Sequence, residues 1–275
     1  MSDEAVSGQY AVIDNIGSVM QWSIQRSRPS NTARHSGTRG GKYRNKGVGS
    51  WQGSWTAAGP VPTVMPGAQF TFLGYSGPSS GVAGTAGQRY GGQAVVTDVT
   101  INWDYATNKI VSHTCNFVGH LALTRSSGAS IVDASAPVHV ESMLCHMKWN
   151  DVDLTDVVSA SLKITADVPQ YVNSSTNGET GRRPSNMIDW EASFVIQRTD
   201  VPLVEGDQQI LKMYTSASEF YSLKWGQVRE YSGFTANRET GEIISQTLTI
   251  EMASNDAAGA IGAILLPNNS TYWPA

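Results

Sequence analysis

Three stretches of the chain carry side chains of the kinds that do chemistry. His113-Thr114-Cys115 places two metal-ligand groups on one face of a strand, and Cys145-His146 offers two more. Structural metal sites set several such ligands at tight spacing in fixed loops. In a second copy of the same pattern, described below, Gln246 and Leu248 stand where His113 and Cys115 do. Core and edge roles are therefore predicted, and no metal or other cofactor. His120, His139 and His146 read as strand and linker residues. Gly37-Thr38-Arg39-Gly40-Gly41-Lys42 approaches a phosphate loop. It lacks the first glycine at the required spacing, and Tyr43 stands where a Ser or Thr must hold magnesium. Gly74-Tyr75-Ser76-Gly77-Pro78 misses a nucleophile elbow by one position, because Pro78 replaces the closing glycine. Asp151, Asp153 and Asp156 alternate at a chain junction and read as a solvated loop. No catalytic constellation emerges, and no carboxylate pair suggests action on a polysaccharide. The expectation is a protein that is not an enzyme.

Charge is more informative. Net charge is only −4, yet no acidic residue lies between Asn15 and Thr97, where eight bases do. Seven of these, Arg26, Arg28, Arg34, Arg39, Lys42, Arg44 and Lys46, fall in a stretch from 26 to 49 that is rich in Ser, Asn and Gly. Nearly free of apolar side chains, it cannot fill a core, so a long exposed loop or extended hairpin is predicted. Acids dominate the rest of the chain, among them Glu141, Asp151, Asp153 and Asp156. Such polarity suits nucleic-acid binding or head-to-tail joining of copies. With Tyr43 as its one aromatic, the basic stretch is poorly equipped to stack on bases.

The elements that position these groups read as β. Charged residues make up 15% of 275 residues, and Gly, Ser, Thr and Trp are frequent, as in a strand-and-turn protein. Two cysteines form no disulfide framework and fit a reducing compartment. No charged-then-apolar leader opens the chain, predicting no export by signal peptide. The apolar run from Ala257 to Leu266 is too short to span a bilayer, so no membrane insertion is expected.

A repeat organises the chain. Trp51-Gln-Gly-Ser-Trp55 recurs 139 residues later as Trp190-Glu-Ala-Ser-Phe194, with Gly67 matching Gly206 and Tyr75 matching Tyr214. Further on the offset is 133, where Val111, His113, Cys115 and Phe117 meet Ile244, Gln246, Leu248 and Ile250. Two diverged β-domains are predicted: 1–130, carrying the basic loop, and 138–253. Ser126 to Pro137 serves as linker, and 254–275 forms a C-terminal arm able to cover an edge of its own chain or of a neighbour. Trp51, Trp55, Trp190 and Phe194 mark the two cores.

Within each domain, alternation predicts strands at Val19–Ile24, Trp51–Trp55, Phe70–Phe72 and a hairpin turning near Thr107-Asn108-Lys109. The glycine-rich stretch 76–92 reads as a surface loop. The second copy repeats this plan and closes with a hairpin turning near Thr240-Gly241. One helix is predicted: Ser216 and Glu219 form a capping box, Phe220, Tyr221 and Trp225 an apolar side, and Gly226 a stop.

Gln21-Trp22-Ser-Ile24, the basic loop, the Trp51/Trp55 strand, the Pro66-Gly67 connection, Phe70-x-Phe72-x-Gly74-Tyr75 and two long hairpin strands together resemble a bacteriophage tail tube protein over residues 10–253. The two-copy layout is similar to tube proteins with fused, duplicated tube domains. The resemblance implies two tandem β-sandwich or barrel domains with a short flanking helix, assembled into stacked rings that form a conduit for the genome. It implies a homo-oligomer of three chains (a pseudo-hexamer) or six, with three favoured because both halves share the core alternation. Other virion proteins would be partners, DNA would be non-specific cargo, and assembly in the host cytoplasm would place the protein in the virion tail. Arg34, Arg39, Lys42, Arg44 and Lys46 would reach Glu141, Asp151, Asp153 and Asp156 of a neighbour. The alternatives are a capsid decoration, neck or baseplate protein, and, more distantly, a nucleic-acid-binding protein using Arg26–Lys46.

Overall fold

A computed structural model describes residues 11–13, 15–33, 42–76, 88–127, 140–185, 188–197, 203–231, 245–253 and 264–267. Alternating apolar and polar residues in these segments give strands almost throughout. They are β1 (Ala11–Ile13), β2 (Val19–Ser27), β3 (Ser30–Ala33), β4 (Tyr43–Lys46), β5 (Ser50–Ala58), β6 (Gln69–Ser76), β7 (Gln88–Asp104), β8 (Ser112–Ser127) and β9 (Met147–Trp149). Then follow β10 (Val152–Asp153), β11 (Val157–Ala166), β12 (Gln170–Tyr171), β13 (Gly181–Arg182), β14 (Ile188–Ile196), β15 (Gln208–Tyr214), β16 (Phe220–Tyr231), β17 (Gln246–Met252) and β18 (Ile264–Leu265).

Fourteen of these strands form one antiparallel sheet, and β3–β4 and β12–β13 are separate two-stranded ribbons. Hydrogen bonding joins the strands of the first half in the order β1-β6-β7-β8-β5-β2 and those of the second in the order β9-β15-β16-β17-β14-β11. The two orders match strand for strand. Register matches as well: Trp55 opposes Cys115 and Gly53 opposes Phe117, while Phe194 opposes Leu248 and Ala192 opposes Ile250. The connection before β6 contains a turn closed by Ala68 N–H to the Met65 carbonyl, 3.2 Å. Its counterpart before β15 is closed by Asp207 N–H to the Val204 carbonyl, 3.0 Å. Gly67 and Gly206 take the left-handed position of these turns, with φ of 81° and 87°, a conformation that glycine adopts without steric cost.

β7 joins the halves. β8 runs along one edge of it, so β6, at Gln88–Val95, and β11, at Asp98–Asp104, occupy its other edge in succession. Side chains on the inner face then fill the core. Trp51, Trp55, Phe72 and Phe117 contact one another with ring centroids 5.0–5.9 Å apart. Trp190, Phe194, Leu162, Ile164, Leu248 and Ile250 are buried in the second half. Each such side chain contributes about 1.5–3 kcal/mol of transfer free energy. Trp51 and Trp190 occupy paired positions, as the repeat predicts.

The helix predicted from Ser216 is not formed, and two short 3-10 turns are the only helical elements among the described residues. Ser216 Oγ does accept from the backbone N–H of Glu219, at 3.0 Å. Those bonds close the tight loop between β15 and β16, with Thr215 N–H donating back to the Glu219 carbonyl. From Phe220 the chain pairs with β15 and β17, and the aromatic residues read as a helix face, Phe220, Tyr221 and Trp225, lie in a strand. Capping chemistry and hairpin-loop chemistry are locally the same here, and pairing on both edges decides the outcome.

Other expectations meet the structure directly. The turn at Thr107–Lys109 is present, with Asn108 at φ 46°. Of the stretch 76–92, residues 88–92 belong to β7, and 77–87 lie outside the described residues. Most of the linker, and the turn near Thr240-Gly241, also lie outside them. In the C-terminal arm, β18 pairs with Ser222 and Leu223 of β16 and buries Ile264, so this described part of the arm lies along an edge of its own chain.

Candidate functional site

Of the groups singled out for chemistry, His113, Cys115 and Cys145 are buried in the fold, and residues 37–41 lie outside the described residues. His113 is buried, its Nδ1 lies 2.7 Å from the Gly59 carbonyl, and burial lowers its pKa. Cys115 is buried beside it, and desolvation pushes its thiol far above the ordinary range. Cys145 belongs to a different part of the core, where burial raises its thiol to about 11. His146 stacks on Tyr214 with ring centroids 3.6 Å apart. Ser76 ends a strand. Among the described residues no three His, Cys, Asp or Glu side chains gather as a metal site.

Of the charged residues predicted as a contact surface, the described bases and Asp151 and Asp153 lie near opposite termini of the strand order. β3 and β4 pair as an extended hairpin rising from β2 and β5, and Lys42, Arg44 and Lys46 are exposed on it. Arg34 and Arg39 lie outside the described residues. Strand β2 is one terminus of the sheet order and β10 is the other. Asp151 and Asp153 sit at the β9–β10 hairpin, where Lys212 donates to Asp151 and Lys148 lies 3.6 Å from Asp153. That Lys212 hydrogen bond, and then its charge, hold the Asp151 carboxyl below its usual range. Asp156 precedes β11 with φ 63°. Glu141 sits apart from these, at the β7–β8 turn, and accepts from Asn108 Nδ2 at 3.1 Å. Among the described residues no ion pair joins Lys42, Arg44 or Lys46 to any of these acids. The bases and the β9–β10 acids sit at opposite ends of the strand order.

Glu179 was not singled out in the sequence. It is 7% exposed and takes ion pairs from Arg26 and Arg28 at the root of the basic hairpin. The segment holding it lies across the first half. Thr180 N–H donates to the Gly49 carbonyl and Gly49 N–H to the Gly178 carbonyl, both at 2.8 Å; Leu121 N–H donates to the Thr180 carbonyl at 2.9 Å. One signal was present, since Glu179 is the sole acid between Asp167 and Asp189.

A third surface is defined by polar side chains that are uncharged apart from Asp98. On the outer face of β2, β5, β8 and β7, Gln21 bonds Thr56 at 3.4 Å, Ser23 bonds Ser54 at 3.1 Å and Thr56 bonds Thr114 at 3.0 Å. Asn116 donates to Asp98 at 2.6 Å on the same face.

No protein-family model matches this chain, and no curated protein matches it either. The arrangement itself is therefore what speaks to function: a repeated strand order, a basic hairpin beside one terminus of that order, acids at the other, and a buried carboxylate fixing the hairpin's root.

Proposed function

We propose that this chain is a structural virion protein that self-assembles into stacked rings forming a phage tail tube, through which the genome is delivered. The observation that carries this reading is the repeated strand order of the two halves, joined edge to edge at β7–β11. A chain that already contains one side-by-side junction between two like units is suited to continuing that arrangement with further copies. In this reading each half is a tube-like domain, and three chains supply six of them. Lys42, Arg44 and Lys46 are exposed and make no ion pair among the described residues, which supports their use between successive copies. Arg34 and Arg39 would extend the same basic arm toward the adjacent ring.

The polar face of β2, β5, β8 and β7, with Asp98 as the carboxylate in its hydrogen-bonded set, is the candidate lining of the channel. A polyanion passing along these hydroxyls, amides and one carboxylate meets no cation among them that would hold it by counterion release. A capsid decoration, neck or baseplate protein would use the same self-association without stacking. Negative-stain microscopy of the purified full chain at high concentration tests the proposal, with rings or stacked tubes expected. A monomer at all concentrations that binds DNA with a steep salt dependence would overturn it in favour of a nucleic-acid-binding role for Arg26–Lys46.

A further inference from the structure

A cleft of about 410 Å³ is lined by residues of both halves, a volume within the range of small-molecule sites. The first half contributes Gly17, Ser18, residues 58–61 and 63, and His113. The second contributes Thr215, Ser216 and Glu219 from the loop between β15 and β16, with Val140 beside them. Hydrogen bonds fix the walls. Ala58 N–H donates to the Ser18 carbonyl at 3.0 Å, and Tyr221 Oη of β16 donates to the Pro60 carbonyl at 2.7 Å. The backbone of Glu219 closes its own loop, which leaves the side chain exposed.

The chemistry of the lining is that of an acceptor site. His113 is 2% exposed. Its Nδ1 faces the Gly59 carbonyl, which can only accept, so Nδ1 carries the proton and Nε2 presents a lone pair. That Nε2 is buried and has no hydrogen-bond partner among the described residues, a costly state for an acceptor. The strand itself does not require an imidazole, because Gln246 holds the matching register position in the second half. Glu219 supplies a carboxylate and is the only charged side chain among the described residues that line the cleft. Burial lowers the His113 pKa, so the ring is neutral near pH 7 and does not repel a cation. Pro60, Val61 and Val140 add an aliphatic wall.

We propose that this cleft binds a small aliphatic amine in its ammonium form, whose N–H groups donate to His113 Nε2 and to the Glu219 carboxylate while its methylenes lie on Pro60, Val61 and Val140. Each part of the ligand answers a part of the lining. An alcohol would satisfy the imidazole and leave Glu219 without a counter-charge, and a carboxylic acid would be repelled by Glu219. Because His113 belongs to the first half and Glu219 to the second, an occupied cleft ties the halves together and stabilises the folded chain. The site lies within one chain and is independent of the assembly reading above.

Isothermal titration of the full chain with 1,4-diaminobutane at pH 7.5 tests the site, with 1,4-butanediol and succinate as neutral and anionic analogues. Saturable binding of one amine per chain is expected, with a rise in melting temperature, and both analogues should bind far more weakly. Glu219→Gln should weaken the amine about tenfold or more, as expected for loss of a charge-assisted contact. His113→Leu should weaken it as well. Glu205→Gln removes an exposed acid from a turn outside the cleft and should leave the affinity unchanged. Should His113→Leu fail to fold, Glu219→Gln and the two analogues still decide. No saturable binding, butanediol binding as tightly as the amine, or an unshifted Glu219→Gln would overturn the site. Equal losses in Glu205→Gln and Glu219→Gln would reduce it to non-specific charge attraction and overturn it too. Tighter binding of Nα-acetyl-lysinamide than of the diamine would overturn the free amine in favour of a lysine side chain from another protein.

Discussion

Gly119 lies directly beneath the indole of Trp51: a Cβ added there would fall 2.0 Å from Trp51 Cε2. The ring cannot step aside, because its Nε1 donates to the Leu121 carbonyl at 3.0 Å and it packs on Phe72 and Phe117. Gly119→Ala is expected to destabilise the protein by roughly 3 kcal/mol through overpacking. Chemical denaturation followed by tryptophan fluorescence would measure it, and a change under about 0.5 kcal/mol, the range of neutral surface changes, would contradict the clamped geometry.

The paired tryptophans differ in one respect. Trp51→Ala and Trp190→Ala should each cost roughly 3–5 kcal/mol, because both side chains are buried. Substitution by Phe separates them. Trp51→Phe strands the Leu121 carbonyl, whereas Trp190 Nε1 has no hydrogen-bond partner among the described residues. The first should cost about 1 kcal/mol more than the second, measured as the difference in unfolding free energy at matched m-values.

His113 makes stability depend on pH. Burial holds its folded pKa below the ordinary value of 6.5, so the unfolded chain binds the proton more readily. Stability is therefore complete above about 6.5 and declines as pH falls below it. His113→Gln copies the residue found at the counterpart position, Gln246, and should flatten this part of the profile. Melting temperatures recorded from pH 7.5 to pH 5 provide the check; an unchanged slope in the variant would assign the dependence elsewhere.

The basic hairpin should act between molecules and not within one. Replacing Arg39, Lys42, Arg44 and Lys46 together by Ser is expected to leave the melting temperature of the protomer within about 2 °C, since exposed charges contribute little to folding. Polymer length by electron microscopy should collapse. Polymers of undiminished length would remove the hairpin from the stacking contact.

Much of this architecture was legible in the sequence because a half-buried strand writes its alternation into the residues. Val111, His113, Cys115 and Phe117 share one face, and the described positions of their counterparts, Gln246, Leu248 and Ile250, are buried likewise. The stretch after Ser216 was misread because its capping pattern is equally at home in a hairpin loop. The β7–β11 junction left no trace, since edge pairing uses backbone groups that every residue type possesses. Glu179 was obscured for a related reason: its partners Arg26 and Arg28 are about 150 positions away in sequence and meet it only once the sheet is formed.

The shared use of β7 has a thermodynamic consequence. Unfolding the second half would strip β11 from Asp98–Asp104 and uncover the Gly67 turn, while unfolding the first would expose Leu162 and Ile164 along β11. Neither half can melt without raising the free energy of the other. The chain should therefore unfold as a single cooperative unit, with equal calorimetric and van't Hoff enthalpies, rather than as two beads on a string.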